Sequence, residues 1–374
     1  MSKRIRQLSE FQENNAKPKE KDHKLELSDA FDLLTRNAFD FLKRSIDDFD
    51  KAPKYSVIHF CAAVEMLLKA RLMKEHWSLI VSKPDQANLA KFMVGDFISV
   101  TLEDARVRIR DVAGEDIGGN AYDSFRMLAN HRNKMLHCFH PKMDGDEKAK
   151  EEIVSEHCRS WLHLYRLLNR WNIHFHDFSS EIARADRAMQ GHRKYLCVKF
   201  KALKPELDAA HKAGRTPKIC SACGFKAAIP DNLDDQIVSL CCLVCGYTEA
   251  QVELECYHCG KFIVITNEGY PTCEHCGKGI EPEYLFDALT DCDAAHIGIK
   301  EGDDSWEPVN CGNCGAYHSV VWRGEYYFCV YCFNITYSVE QCRRCNEFNT
   351  GNMEHSYLVG CRHCNGKAGW EKDD

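Results

Sequence analysis

The sequence predicts a multidomain chain: an N-terminal all-α helical bundle followed by an array of small β-hairpins held by cysteines. Three observations carry this. A 3.6-residue apolar period dominates residues 1–215. Of 22 cysteines, only Cys61, Cys138, Cys158 and Cys197 precede residue 216, and the other 18 fall between Cys220 and Cys364. Charge divides at the same place. Residues 216–374 hold 24 acidic and 11 basic residues, a formal −13, against 32 acidic and 38 basic, or +6, in residues 1–215. The halves therefore face different partners.

Residues 1–25 are polar and charged with no apolar h-region, so they read as a disordered basic head and not a secretory signal. From Ser28, a candidate N-cap, the stripe Phe31, Leu34, Ala38, Phe41, Leu42, Ile46 and Phe49 predicts the first helix. Beyond Pro53 the second helix is apolar nearly all round through Val57–Leu68, which places it at the centre of a bundle. Thr101-x-x-Asp104 resembles a capping box and opens a third helix. AYDSFRMLANHRNKMLHCF follows, stopped by Pro141; then come a long helix, DEKAKEEIVSEHCRSWLHLYRLLNRW, and one more over SSEIARADRAMQGHRKYLCVKFKALK. The bundle spans residues 26–205, and residues 206–218 read as a linker.

The remaining chain holds eight C-x-x-C pairs: Cys220/Cys223, Cys242/Cys245, Cys256/Cys259, Cys273/Cys276, Cys311/Cys314, Cys329/Cys332, Cys342/Cys345 and Cys361/Cys364. Five are followed directly by Gly, the residue for a turn that aims amide N–H groups at sulfur. Without an export signal the expected compartment is cytoplasmic, where such spacing means metal and not disulfides. Sixteen thiolates make four tetrahedral structural zinc sites of four cysteines each. Consecutive pairing leaves 18, 13, 14 and 15 residues between pairs, each enough for one hairpin; KFIVITNEGYPT and YHSVVWRGEYYF fit. This gives zinc ribbons 1 and 2 over residues 219–280, an acidic insert over 281–309, and ribbons 3 and 4 over 310–374. An interleaved cross-brace is the competing pairing. Cys241 and Cys292 are left over and read as buried thiols. His258, His275 and His363 lie inside pairs and read as solvent-facing.

Four complete all-cysteine sets leave no open position for catalysis. The acidic charge repels phosphate, apart from a basic spot at Arg343–Arg344 read as a solvated turn. This half therefore fits protein recognition, sensing or dimer support. No apolar run approaches the ~18 residues of a membrane span.

Chemistry concentrates instead in NHRNKMLHCFHP, residues 130–141. Arg132 and His137 in RNKMLH, after a helix of the FCAAVEMLLKARL kind, resemble the R-x4-6-H signature of the HEPN superfamily, over roughly residues 26–200. The resemblance implies a small helical bundle with metal-independent endoribonuclease activity, in toxin, antiphage-defence or RNA-processing settings. It also implies a homodimer that brings two motifs into one cleft. On it, His137 moves the proton, Arg132 stabilises the phosphate and Asn133 orients. The residue types suit this work: imidazole titrates near neutrality, and guanidinium binds phosphate bidentately. Residues five apart on a helix point about 140° apart, so a two-fold cleft or a distorted last turn would be needed for both to reach one phosphate. Glu65 is either an orienting partner for this pair or a surface partner of Lys69 at i+4. His131 and His140 read as surface or capping groups. The competing function is a non-catalytic dimerisation or nucleotide-binding scaffold with a zinc-ribbon protein-interaction array, since Arg and His near a helix C-terminus also stabilise its dipole.

Overall fold

The structure is a computed structural model and describes residues 26–137, 147–266 and 272–366. The basic head, Cys138, His140, Pro141 and the tip of the KFIVITNEGYPT segment lie outside the described residues. The chain divides into two compact units, Met1–Val198 and Lys199–Asp374.

The first unit is helical. It comprises α1 (Leu27–Asp47), α2 (Pro53–Met73), a short α3 (Leu89–Met93), α4 (Leu102–Asp111), α5 (Gly119–His137), α6 (Glu147–Arg170) and α7 (Ser179–Gln190), and it ends within α8 (Arg193–Ala202). α1 starts one residue before Ser28. Glu26 holds the N-cap position, and its N–H donates to the Asp29 carboxylate at 2.9 Å. Thr101 caps α4 as expected, its Oγ1 accepting from the Asp104 N–H at 3.1 Å. α2 packs against α1, α4, α5 and α6, and Val57, Phe60, Val64, Leu67, Leu68 and Leu72 are all buried. That is the central position its all-round apolarity requires. The single helix expected over residues 179–204 is broken at Gly191, which ends α7, so α7 and α8 are separate.

His157 on α6 is buried where α1 and α2 meet. Its Nε2 lies 3.4 Å from Ser45 Oγ and its Nδ1 3.5 Å from Ser56 Oγ, between the Phe49 and Phe60 rings. Burial pushes its pKa down to about 3, and the charge of His192 pushes the same way. The unfolded chain binds this proton near pH 6.5 and the folded chain refuses it. The stabilisation is therefore complete above about pH 6.5 and is lost as pH falls toward 3. Urea unfolding followed by helical circular dichroism should show a midpoint that drops from pH 7 to pH 5, with a smaller drop in His157→Gln. An equal drop in both would refute this account.

The second unit is strand-rich, but it is not four separate hairpins. β1 (Lys218–Ile219), β2 (Lys226–Asn232), β3 (Ile237–Cys242), β4 (Thr248–Glu255) and β5 (Phe262–Thr266) form one antiparallel sheet in chain order. β6 (Val309–Asn310), β7 (Val320–Trp322), β8 (Tyr327–Cys329), β9 (Ile335–Thr336), β10 (Val339–Gln341) and β11 (Phe348–Thr350) form a second, ordered β10-β11-β6-β7-β8-β9, with β11 and β6 parallel. A lone hairpin leaves unpaired backbone groups on both edges, and here neighbouring strands take them up. YHSVVWRGEYYF does contain a hairpin, β7–β8. In KFIVITNEGYPT, β5 pairs with β4.

The stretch read as a linker is entered by the helix α9 (Lys204–Lys212), which is opened by Pro205 and buries Leu207 and Ala210. The acidic insert contains α10 (Pro282–Leu289) and α11 (Cys292–Glu301). Leu285 and Leu289 of α10 join Val252, Ile263 and Ile265 of the first sheet and Val321 and Phe328 of the second in one core. Beside that core, Asp234 in the β2–β3 turn accepts from Arg323 Nε at 2.7 Å and Tyr326 Oη at 2.6 Å. Arg323 also donates to Gln236 Oε1 and the Leu289 carbonyl. Burial alone would raise the Asp234 pKa. Arg323, Tyr326 and the N–H groups of Gln236 and Ile237 outweigh it and hold the carboxyl down at about 2. This ionic clamp fixes the two sheets to each other.

Candidate functional site

The sixteen paired cysteines gather as consecutive pairs into four groups: Cys220, Cys223, Cys242 and Cys245; Cys256, Cys259, Cys273 and Cys276; Cys311, Cys314, Cys329 and Cys332; and Cys342, Cys345, Cys361 and Cys364. Within each, all sulfur atoms lie within 4.8 Å of one another. The cross-brace pairing is not formed. Two sulfur–sulfur separations in each group lie between 3.6 and 3.9 Å, far beyond a disulfide bond. A tetrahedral ion with ~2.3 Å bonds to sulfur sets its ligands about 3.8 Å apart, so the donor sets fit such an ion. His258 and His275 are exposed, His363 is half-buried, and none belongs to a group.

Local geometry explains how each pair presents its sulfurs. The residue after the second cysteine donates its N–H to the carbonyl of the first in all eight pairs, at 2.7–3.1 Å. That residue has a left-handed backbone every time: Gly224, Gly246, Gly260, Gly277 and Gly315, but also Phe333, Asn346 and Asn365. Glycine adopts this freely and asparagine at modest cost, whereas phenylalanine is strained there. Phe333 is held by the core, buried against Phe328 with ring centroids 5.2 Å apart.

Cys241 and Cys292 are exposed, not buried. Side chains alternate along a strand, so Cys241 on β3 points away from its buried neighbour Cys242. Cys292 sits in the first turn of α11. Arg343 and Arg344 are exposed as expected, with Arg344 Nε donating to the Tyr357 carbonyl.

In the helical unit, α2 and α5 bring three of the four candidate residues together. Arg132 Nη1 donates to Glu65 Oε1 at 2.7 Å, and Arg132 Nε donates to Asn133 Oδ1 at 3.2 Å. Glu65 thus accepts from Arg132, whereas the Lys69 Nζ hydrogen-bonds Ser99 Oγ at 3.0 Å and meets Glu65 through charge alone. Both members of the ion pair are partly exposed, Glu65 at 29% and Arg132 at 22%. These contacts leave the two Nη2 hydrogens of Arg132 for a ligand. Cys61, on the same helix as Glu65, is buried; burial pushes its thiol up to about 12, with Arg132 opposing and Glu65 reinforcing. It is therefore a neutral core group and no nucleophile.

His137 is exposed at the end of α5 and makes no hydrogen bond to Arg132. Five helical residues separate the two by about 7.5 Å along the axis and 140° around it. His131 is not a surface group: it is 13% exposed and its Nε2 lies 2.9 Å from Glu156 Oε2, joining α5 to α6. Comparison of the chain with known protein families, with curated proteins and with solved structures returns no match.

Proposed function

We propose that the helical unit is a metal-independent endoribonuclease of the HEPN type, and that the strand-rich unit is a zinc-ribbon array of four structural zinc sites serving recruitment, sensing or dimer support. The observation that supports the catalytic reading is the Glu65–Arg132–Asn133 arrangement. It fixes the guanidinium on one α5 face with Nη2 open, and His137 stands exposed five residues on. A pair of such motifs across a two-fold axis supplies two imidazoles and two guanidiniums to one phosphate. One imidazole takes the ribose 2′-OH proton. The O2′–P bond forms as the P–O5′ bond breaks, and a proton returns to O5′. The products are a 2′,3′-cyclic phosphate and a 5′-OH. Arg132 stabilises the charge that builds on the phosphate oxygens.

For the metal sites, the support is the gathering of four groups of four cysteine sulfurs, each within 4.8 Å of one another. Zn²⁺ suits four thiolates and needs no further ligand. Their role is to hold the knuckles and sheets together.

A non-catalytic scaffold is the competing reading, favoured by the same contact, because Glu65 already compensates the Arg132 charge within the bundle. Expression of wild type beside His137→Ala in cells, with sequencing of RNA ends, separates the two. The enzyme reading expects cyclic-phosphate ends with wild type that vanish in the variant; identical RNA ends in both would leave the scaffold.

A further inference from the structure

A second cation stands beside the Glu65–Arg132 pair, and the catalytic reading does not use it. Lys69 lies one helical turn beyond Glu65 on α2, at i+4, so the two share a face of the helix about 6 Å apart along its axis. Its Nζ donates to Ser99 Oγ at 3.0 Å. Ser99 belongs to the chain that enters α4, and hydrogen bonds on either side of it pin that chain. The Ser82 N–H donates to the Ile98 carbonyl at 2.8 Å, and the Val100 N–H donates to the Ile80 carbonyl at 2.9 Å. The lysine arm therefore ends on a fixed anchor.

Lys69 is half-buried, so water is partly withheld from its charge. Burial lowers its pKa, Glu65 raises it and Arg132 lowers it again, so the three side chains form one electrostatic group. Within that group Glu65 accepts from Arg132 Nη1 at 2.7 Å. One carboxylate thus serves two cations and cancels only one of them. A partly desolvated cation without a counter-ion of its own is costly to fold, and an anion placed here relieves it. Donors for one are present on both helices. An ammonium carries three N–H groups, of which Ser99 takes one, and Arg132 keeps the two hydrogens of Nη2.

We infer that Lys69 is the second cation of a phosphodiester-binding site: the RNA backbone passes across the α2–α5 contact, with Arg132 Nη2 and Lys69 Nζ both donating to its phosphate oxygens. The inference rests on the proposed ribonuclease reading for its ligand. It gives Lys69 the task of binding the strand, while proton transfer stays with His137.

The test uses full-length protein carrying His137→Ala, so that RNA stays intact, and a fluorescein-labelled single-stranded RNA of mixed sequence titrated at several salt concentrations. Adding Lys69→Met, which keeps the length of the arm and loses its charge, should weaken binding roughly tenfold. It should also flatten the log Kd–log salt slope by ~0.7, the change for one lost phosphate contact on a single strand. Lys69→Arg should keep most of both. Lys69→Gln is measured beside Lys69→Met, and circular dichroism shows that each variant is folded. A lysine that only ties α2 to Ser99 would shift the unfolding midpoint and leave the salt slope alone. Unchanged affinity and slope in folded Lys69→Met or Lys69→Gln would overturn the site, as would absence of RNA binding by the parent protein. If the slope falls as described but protein with His137 intact never cleaves RNA, the ribonuclease reading fails and the phosphodiester site stands. If that protein cleaves RNA and the slope does not move, the site fails and the ribonuclease reading stands.

Discussion

Stripping metal from the purified protein is expected to unfold the strand-rich unit and leave the helical unit folded. The fourth cysteine group shows why. Its buried cluster consists of Cys342, Cys361 and Cys364 with Cys345 and Met353 packed on them, so the thiolates themselves are the core. The third is little richer, with Val309, Val320 and Tyr327 around Cys311 and Cys329. Structural zinc contributes on the order of 10–16 kcal/mol per site at neutral pH, as much as the ~5–15 kcal/mol of a domain's whole net stability. A strong chelator should therefore abolish the strand-unit unfolding transition while helical circular dichroism persists. Elemental analysis of untreated protein should find about four zinc ions per chain, because sixteen thiolates fill four tetrahedra. Cys342→Ser should remove one ion and destabilise the unit, whereas Cys241→Ser, at an exposed thiol outside the groups, should remove none. One or two ions per chain, or chelated protein with an intact strand-unit transition, would refute the four-site account.

The second large effect concerns Arg132 and its partners. Losing a general acid–base group costs about 10²–10⁴-fold in rate, the fall expected for His137→Ala. Losing a donor to a developing oxyanion costs about 10²–10³-fold, the fall expected for Arg132→Ala. Arg132→Lys should not rescue, because a point charge cannot keep Nη1 on Glu65 and two further donors on phosphate. Glu65→Gln keeps the size and loses the charge that orients the guanidinium; a fall of about tenfold in kcat with little change in stability is expected, since part-exposed pairs contribute about 0–1 kcal/mol. On the scaffold reading, Glu65→Ala and Arg132→Ala change stability alone, by that same small amount.

Much of this was legible because it is local. Thr101 with Asp104, the apolar stripe of α1 and the all-round apolarity of α2 each encode their element in adjacent residues. The eight cysteine pairs encode their grouping by spacing. What escaped was non-local or context-dependent. Nothing in the hairpin segments says that their edges join into sheets of five and six strands. Asp234 lies about ninety residues from Arg323 and Tyr326, and the three carry no motif. Leu285 and Leu289 sit in a stretch whose acidity masked a helix with one buried face. One signal was available and missed. Aligning the eight pairs on their second cysteine places Phe333, Asn346 and Asn365 where the other five have Gly, and so marks all eight positions as left-handed. The Glu65–Arg132 contact was half legible, since Lys69 at i+4 offered an equally good partner until the bundle placed α5 beside α2.

The central claim is that His137 and Arg132 cut RNA through its own 2′-hydroxyl. The most direct measurement is cleavage by purified zinc-loaded protein, without added divalent cations, of an RNA and of its analogue carrying a 2′-deoxyribose at the cut position. The account predicts a 2′,3′-cyclic phosphate and a 5′-OH from the RNA, no cut at that position in the analogue, and no products from His137→Ala. Equal cleavage of both substrates, equal cleavage by the variant, or RNA left intact by wild type would contradict it.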